Sequence, residues 1–275
     1  MRPQPPGDKL PEADKSKRTE NIKEHIMKKS RLSILILVAI VASCSTARDR
    51  SFRDSLPEQK IFSVNQQGRG DAITVDLRQG RSFYYPLMAI WVEDMEGNYL
   101  QTLFVPNSVA TGIFEYGIRE VTGWVRAPRR APQSVPYWAH KRGVRASDGL
   151  FMPEPSNPVA DAYSGATPQS GFVMTARTDE KIDPPYRVML EINQNWAWNN
   201  YWTNDKFPDD VYYLNSGQPA VVYEAVITEV PSGGTIVMRP IGHSHPSGST
   251  GELFDDLSTL TTALEIADSV FVSAR

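Results

Sequence analysis

Cysteine is almost missing from this sequence, because Cys44 is the only one among 275 residues. A single thiol excludes disulfides within the chain, and the segment after Cys44 has no thiolate for a metal site or for nucleophilic catalysis. A cysteine-free domain suits an oxidising compartment. The sequence also lacks a Gly-x-Ser-x-Gly elbow, a His-Glu-x-x-His pair and a phosphate-binding glycine loop. We therefore predict a carrier or binding protein and not an enzyme.

Long hydrophobic runs are absent as well. The longest apolar stretch, residues 32–42, has about half the length that spans a bilayer. It follows the basic residues Lys28, Lys29 and Arg31 and ends in small residues just before Cys44. A basic start, a short apolar stretch and a small-residue end are the parts of a signal peptide, which we predict over residues 27–43. Residues 1–26 are polar and proline-rich, which predicts a non-native or disordered extension.

The segment Val41-Ala42-Ser43-Cys44 resembles the lipobox of bacterial lipoproteins. The resemblance implies that the Cys44 sulfur carries diacylglycerol, that the chain is cut before it, and that the new amino terminus is acylated. Membrane lipid is then a partner through Cys44, since each buried acyl methylene contributes about 0.8 kcal/mol. The expected location is the bacterial cell envelope, on the periplasmic or outer-membrane surface, with residues 44–70 as lipidated cysteine and flexible tether. The alternatives are a buried strand and an ordinary secreted signal.

Positive charge is in deficit after Cys44. Nine of the 29 basic and five of the 32 acidic residues precede this cysteine, which leaves 20 against 27 and a net charge of −7. Nucleic-acid binding requires a basic surface that faces the phosphates. The charge balance therefore predicts that nucleic acid is not a partner.

From Asp71 onward apolar and polar residues alternate, which is typical of half-buried strands. Strands are predicted at 73–77, 87–92, 99–105, 172–176, 186–192, 220–227, 235–238 and 270–272. Only residues 257–266 have helical spacing. Short strands with little helix predict a mainly β fold over residues 71–275, an immunoglobulin-like β-sandwich with a short C-terminal helix.

The alternation fails between Val105 and Phe172. This stretch is rich in proline and arginine. A long irregular segment inside a compact domain is commonly either functional or disordered. We therefore treat residues 106–171 as an insertion and expect functional residues in it.

The insertion ends with Asp161-Ala162-Tyr163-Ser164-Gly165-Ala166-Thr167, which resembles the flavinylation motif of covalent flavin proteins such as the C subunit of the sodium-translocating NADH:quinone reductase. There an extracytoplasmic flavin transferase esterifies FMN to the hydroxyl of the last threonine. The resemblance implies that Thr167 is the attachment residue and Asp161 the leading acid. Ser164 matches the second hydroxyl position, and Gly165 and Ala166 match the small residues. The alternative is a structural turn, in which Ser-Gly is common.

Three segments resemble an uncharacterised domain family of predicted periplasmic proteins. They are 87–94 with Gly97, 136–143 and 161–168, and the resemblance covers roughly residues 83–274. Members of that family occur with flavin transferases and PepSY-type membrane reductases. The resemblance implies an accessory or electron-carrier role in an extracytoplasmic flavin system, such as one for iron reduction, with a flavin transferase and a membrane reductase as partners.

Aromatic residues interleaved with asparagines follow the predicted strand 186–192. A flavin ring needs an aromatic shelf, and its phosphate needs countercharge. The candidate ligand surface is Trp138, His140, Lys141, Arg142, Trp196, Trp198, Tyr201 and Trp202. The structural alternative is that Trp196 and Trp198 fill the core. Indoles and amides also suit carbohydrate, so a non-redox scaffold that binds a glycan or a protein is the second functional class.

The sequence offers two candidate metal sites, and neither has a complete ligand set. His243 and His245 have a spacing at which two imidazoles share one strand face, but Pro246 favours a loop there. Asp205, Asp209 and Asp210 lack the EF-hand spacing. We predict no metal site.

Overall fold

Two β-sheets that pack face to face form the centre of the structure. A computed structural model describes residues 58–160 and 163–275. Its strands are β1 (Lys60–Val64), β2 (Ala72–Gln79), β3 (Leu87–Glu93), β4 (Tyr99–Pro106), β5 (Ile113–Glu120), β6 (Gly123–Pro128), β7 (Ser164–Gly165), β8 (Phe172–Arg177), β9 (Tyr186–Asn193), β10 (Val221–Ile227), β11 (Ile236–Val237), β12 (Arg239–His243) and β13 (Ala267–Ala274). Its helices are α1 (Asn107–Thr111) and α2 (Pro136–Arg142), with 3₁₀ turns at Tyr213–Asn215 and Leu257–Thr259.

The strands divide into two sheets and one separate ribbon. Sheet A has the order β1-β8-β2-β13-β11, and sheet B has the order β12-β10-β9-β3-β4-β7. Within these sheets β1 pairs with β8 and β4 pairs with β7 in parallel, whereas the other described pairs are antiparallel. Strands β5 and β6 pair only with each other among the described residues. The prediction of a mainly β sandwich is confirmed, and its immunoglobulin-like detail stays a prediction.

Alternating residues of both sheets form the core between them. On β2 the side chains of Ile73, Val75 and Leu77 are completely buried, while the residues between them are partly exposed. They belong to one cluster with Val188 and Leu190 of β9. Each aliphatic side chain that is buried in this way contributes roughly 1.5–3 kcal/mol, which explains why the period-two pattern determined the strands.

Sheet B is covered on its outer face as well. Every residue of β3 is buried, because Met88 and Ile90 face the sandwich core while Ala89 and Trp91 face outward. The outward residues pack in a second cluster with α1, α2 and neighbouring parts of the insertion, including Trp138. The insertion therefore forms a third layer, which accounts for the continuous apolar run of β3.

Most of the long connections lie at one end of the sandwich, which we call the entry end. It holds the connections 80–86, 166–171 and 194–220, and the first residue of β1, Lys60, pairs there with Phe172. The opposite end holds the turn between β3 and β4, where Asn98 donates a backbone hydrogen bond of 2.8 Å to the Asp94 carboxylate.

Three predictions about local structure need correction. The insertion, which was expected to be irregular, contains α1, α2 and strands β5 to β7, because it packs on the outer face of sheet B. The predicted helix 257–266 is a single 3₁₀ turn followed by further turns, because Gln218 and Asn199 bind its backbone: the Thr261 N–H donates to Gln218 Oε1 at 2.6 Å, and Asn199 Nδ2 donates to the Thr259 carbonyl at 2.8 Å. Residues 60–64, placed in the tether, form β1 instead. The extension 1–26, the signal peptide 27–43, Cys44, the start of the tether and Asp161 lie outside the described residues.

Candidate functional site

The segment that resembles a flavinylation motif forms the edge of sheet B. Ser164 and Gly165 are β7 and pair in parallel with Val105 and Pro106 of β4. A Cβ on Gly165 would lie 3.2 Å from the Phe104 ring, so the smallest side chain allows the close approach of the two strands. Asp161 lies outside the described residues, so its relation to this edge strand stays a prediction.

A side-chain hydrogen bond fixes the residue before this edge strand. The Tyr163 hydroxyl donates to the Asp179 carboxylate, which belongs to the connection between β8 and β9. Burial first, and the neighbouring carboxylate second, raise the pKa of Tyr163 to about 12. Tyr163 therefore stays neutral at physiological pH and acts as a fixed donor.

Thr167 leaves the sheet just beyond β7. Ala166 is exposed, Thr167 is half-buried and Pro168 is buried, after which the chain crosses to β8 in sheet A. Thr167 is thus partly accessible to solvent, on a segment whose backbone is held by pairing on one side and by a buried proline on the other.

A cavity of about 570 Å³ opens at the same end of the sandwich. Its walls come from the β2–β3 connection, the β9–β10 connection and one residue of the β12–β13 connection: Arg81, Ser82, Phe83, Tyr84, Gln194, Asn195, Trp196, Ala197, Trp198 and Thr262. The Tyr84 N–H donates a 2.6 Å hydrogen bond to Gln194 Oε1, which ties the two connections together. Tyr84 and Trp196 are 70% and 55% exposed, so both aromatic rings are accessible to solvent.

The backbone is strained at Tyr85, which follows Tyr84, and at Trp196. Tyr85 has φ of 46° and Trp196 has φ of 59°, and both values lie in the left-handed region that bulky side chains rarely adopt. Such conformations cost about 1–3 kcal/mol each and persist where surrounding contacts fix them. This cost supports a ligand-binding use for the exposed indole and phenol.

Strand register gives the separation between Thr167 and this cavity. Gly165 lies beside Pro106 of β4, and the first residue of β3, Leu87, lies beside Asn193 of β9. Thr167 and Gln194 each follow shortly after these paired positions. Three strand spacings, or roughly 14 Å, separate the strand positions Gly165 and Asn193. Thr167 and the aromatic cavity therefore share the entry end.

The aromatic residues of 196–202 have different environments. Trp196 and Tyr201 are exposed, Trp198 is half-buried, and Trp202 is buried in the core. Trp202 Nε1 donates to Thr259 Oγ1 at 3.2 Å, and both Trp198 and Trp202 contact the Tyr213 ring. Trp196 and Trp198 thus line the cavity, whereas Trp202 is a packing residue.

The second half of the predicted ligand surface lies elsewhere. Trp138, in helix α2 of the insertion, is fully buried against sheet B, with Nε1 donating to Thr102 Oγ1 at 3.0 Å. The Arg142 guanidinium lies 5.7 Å from the Trp138 ring centre, and the half-buried His140 stacks near Phe151 with ring centres 4.3 Å apart. Trp138 thus presents no ring face to solvent. Arg142 and His140 pack against aromatic side chains of the insertion itself.

Lys141 belongs to a buried charge cluster at the opposite end of β3. Its Nζ donates to the Gly97 carbonyl at 2.7 Å and lies 3.7 Å from Glu93 Oε2. Arg187 lies 3.6 Å from the same oxygen and binds Glu224 at 3.1 Å. Burial is the largest cause that raises the pKa of Glu93, opposed by these cations. Since β3 spans roughly 20 Å, the structure does not bring Lys141 and Thr167 together.

His243 and His245 pack against neighbouring residues of the same segment. His243 is buried, its Nδ1 lies 2.9 Å from the Ser244 carbonyl, and its ring stacks on Phe254. Burial lowers the pKa of His243 and of the half-buried His245. Over residues 58–160 and 163–275, no three or more His, Cys, Asp or Glu side chains are grouped to hold a metal ion.

The acidic loop after the aromatic cluster has its own hydrogen bonds. Asp205 and Asp209 are exposed. Asp210 Oδ1 accepts the backbone N–H groups of Tyr212 and Tyr213, both at 3.0 Å. The Asp210 carboxylate is therefore used in a turn.

Sequence reasoning missed Tyr84 and Gln194 as cavity residues. The Tyr-Tyr-Pro run at 84–86 is an aromatic signal in a connection between two strands, and it marked the site without being used. In the part of the chain that the structure describes, no helix is long and apolar enough to cross a membrane. Comparison of the chain with family models, with curated proteins and with solved structures finds no match.

Proposed function

We propose that this chain is an envelope-anchored bacterial lipoprotein that carries FMN on Thr167 and serves as an accessory or electron carrier in an extracytoplasmic flavin system. The observation that carries the proposal is the position of Thr167 at the same end of the sandwich as the cavity between Tyr84 and Trp196. A partly accessible threonine and an aromatic shelf at one end of the sandwich are what a tethered flavin requires.

The cavity fits a planar aromatic group. Its volume of about 570 Å³ lies within the range of small-molecule sites, about 300–1,000 Å³. Trp196 and Tyr84 supply ring faces for stacking, and Gln194 and Asn195 supply amides for the polar edge of the ligand. Bound FMN would supply reversible electron transfer, while these side chains bind the ring and orient it.

The small residues before Thr167 suit the attachment reaction. In the proposed transfer a bond forms between Thr167 Oγ1 and the FMN phosphorus of a flavin dinucleotide. The pyrophosphate bond of the donor breaks, the nucleoside monophosphate leaves, and a base of the transferase takes the hydroxyl proton. Exposed Ala166 and the glycine at 165 leave space for the transferase next to this hydroxyl.

The proposed membrane anchor agrees with this arrangement. The described chain begins at residue 58, close to Lys60 at the entry end. From Cys44 to that point the chain has 14 residues, which span at most about 50 Å. An acylated Cys44 would keep residue 58, at the start of the domain, within that distance of the bilayer.

Co-expression with a flavin transferase tests the proposal. Wild-type protein should give a flavin-fluorescent band on a denaturing gel, and Thr167→Ala should give none. Ser170→Ala is the matched control, because Ser170 is a second hydroxyl in the same connection and should leave the band unchanged. A fluorescent Thr167→Ala band, or a dark wild-type band, would overturn the flavin proposal.

A non-redox scaffold or binding protein is the second candidate, and the pairing of Ser164 and Gly165 within sheet B favours it. In that function the motif is a structural edge strand, and the cavity near Trp196 binds a glycan through its indole and amides. Calorimetry with soluble oligosaccharides distinguishes the candidates. Binding that disappears in Trp196→Ala, from a wild-type protein that never takes up flavin, would support the scaffold.

A further inference from the structure

The ribbon formed by β5 and β6 exposes apolar side chains without a partner in the described chain. Ile118 is 51% exposed and Trp124 is 44% exposed, and Val121 at the turn is completely exposed. An isolated two-stranded ribbon is only marginally stable in water. Apolar groups on such a ribbon therefore point to a second surface that covers them.

The apolar residues occupy both faces of the ribbon. Ile118 pairs with Val125, and Arg119 pairs with Trp124. Directly paired residues share a face, whereas consecutive residues point to opposite faces. Ile118 therefore lies on one face and Trp124 on the other, with Val121 at the tip. A flat protein partner would cover one face, but immersion of the tip covers both.

The polar residues of the ribbon suit the headgroup layer of a bilayer. Arg119 and Arg126 are exposed, and Arg126 forms an exposed ion pair with Glu115 at 3.1 Å. An exposed pair contributes about 0–1 kcal/mol, so this arginine can turn to a lipid phosphate at little cost. Glu120 beside the tip and the unpaired outer strand edges keep the ribbon out of the hydrocarbon core. The contact is thus interfacial.

The distribution of charge over the domain also favours contact between the insertion and a bilayer. The insertion 106–171 has seven basic and five acidic residues, a net charge of +2. The remainder of the chain after Cys44 has 13 basic and 22 acidic residues, a net charge of −9. The insertion is therefore the part of the domain that an anionic lipid surface repels least.

The base of the ribbon lies near the entry end. Helix α1 follows β4 directly, and the Arg129 N–H donates to the Gly112 carbonyl at 2.9 Å, which closes the base of the ribbon. The Val159 N–H donates to the Ala110 carbonyl at 2.8 Å and fixes α1 beside the segment that leads to β7. The base thus lies at the end where the proposed tether joins the domain.

We propose that the β5–β6 ribbon inserts its tip into the headgroup region of the membrane that holds the lipid anchor. Trp124, Ile118 and Val121 contact the boundary of the acyl chains, and Arg119 and Arg126 bind lipid phosphates. This inference rests on the anchored location in the proposed function but not on flavin. The ribbon would be the second attachment point that orients the entry end toward the bilayer.

Bromine quenching in vesicles tests the proposal with the lipidated mature protein, produced without a flavin transferase. The vesicles contain phosphatidylethanolamine and phosphatidylglycerol with brominated acyl chains. Among the six tryptophans only Trp124 and Trp196 are among the exposed large side chains. We expect quenching that falls by about half or more in Trp124→Phe and is unchanged in Trp196→Phe, the matched exposed control.

A second variant keeps the reporter and changes the tip. In Ile118→Ser/Val121→Ser, Trp124 is intact but the apolar contact is weakened, and quenching should fall by at least about twofold. Equal quenching in wild type and Trp124→Phe would overturn the proposal. The proposal would also be overturned if wild-type protein floats with the vesicles but its tryptophan fluorescence is not quenched. The protein would then be anchored by its lipid while the ribbon lies in water or on another protein.

Discussion

The Trp138 backbone N–H donates a 2.8 Å hydrogen bond to Glu191 Oε2, which joins the insertion to the centre of sheet B. The Tyr137 N–H donates to the other carboxylate oxygen at 3.1 Å. Glu191 has no solvent exposure, and burial raises the pKa of its carboxyl to about 7 despite these two donors. A single buried side chain of β9 thus binds the start of α2.

The raised pKa of Glu191 predicts that the contribution of this carboxyl to stability decreases as the pH rises from about 4.5 to 7, whereas the lowered pKa values of His243 and His245 act in the opposite sense. The folded state holds the proton up to about pH 7, whereas the unfolded chain releases it near the ordinary value of 4.5. The contribution of Glu191 to the free energy of unfolding therefore decreases across this window, by roughly 3 kcal/mol at most. Urea titrations at several pH values measure it. Glu191→Gln should remove this slope, and the exposed Glu229→Gln should retain it.

Loss of Arg187 should destabilise the charge cluster beneath the insertion. Arg187→Met leaves the buried Glu93 with Lys141 as its remaining cation, and breaking a buried pair costs about 3–5 kcal/mol. The exposed Arg126→Met is the control, with an expected change below about 1 kcal/mol. Chemical unfolding compares the two. If adding Glu93→Gln to Arg187→Met restores part of the lost stability, the uncompensated carboxylate of Glu93 causes the loss.

Two tryptophans should differ sharply in their effect on stability. Trp138→Ala removes a fully buried ring, and such changes cost about 3–5 kcal/mol. Trp196→Ala removes a half-exposed ring and should cost about 1 kcal/mol or less. Thermal unfolding of both variants measures the difference. A small effect at Trp138 would mean that the insertion does not pack on sheet B as described.

Trp196 should affect the environment of the flavin but not its attachment. In flavin-loaded protein, Trp196→Ala should keep the fluorescent band on a denaturing gel, because Thr167 is intact. In the native protein the flavin fluorescence should rise about twofold or more, since stacking on the indole is lost. Trp124→Ala removes an exposed indole outside the cavity and should leave native fluorescence unchanged. A Trp196→Ala spectrum identical to wild type would exclude this residue as the shelf.

Period-two alternation was sufficient to predict the central strands, because burial between two sheets selects alternate residues. The same reasoning missed β1, although Phe62 and Val64 alternate toward the core, because its five residues follow a polar stretch that predicts a tether. It also predicted a helix where Leu260, Ala263 and Ile266 are buried at helical spacing. Hydrogen bonds from Gln218 to that backbone favour turns over a helix, and such long-range partners are not apparent in a local pattern.

The candidate site was only partly predictable for a similar reason. Trp196 and Thr167 were identified from composition and from a motif, but their common end depends on the pairing of β7 with β4. Trp138 and Lys141 were grouped with them because aromatic and basic residues suit a flavin phosphate. Their placement within the insertion depends on Glu191 and Glu93, which lie 53 residues from Trp138 and 48 residues from Lys141 in the chain. Sequence proximity to other basic residues could not reveal those partners.

Peptide mass spectrometry of protein co-expressed with a flavin transferase tests the central claim most directly. The tryptic peptide 146–177 contains Thr167, so a phosphoester-linked FMN should raise its mass, and fragmentation should place the added mass on that threonine. The account predicts this modification in wild-type protein and an unmodified peptide in Thr167→Ala. A wild-type peptide without added mass, recovered while the same transferase modifies a known substrate, would contradict it.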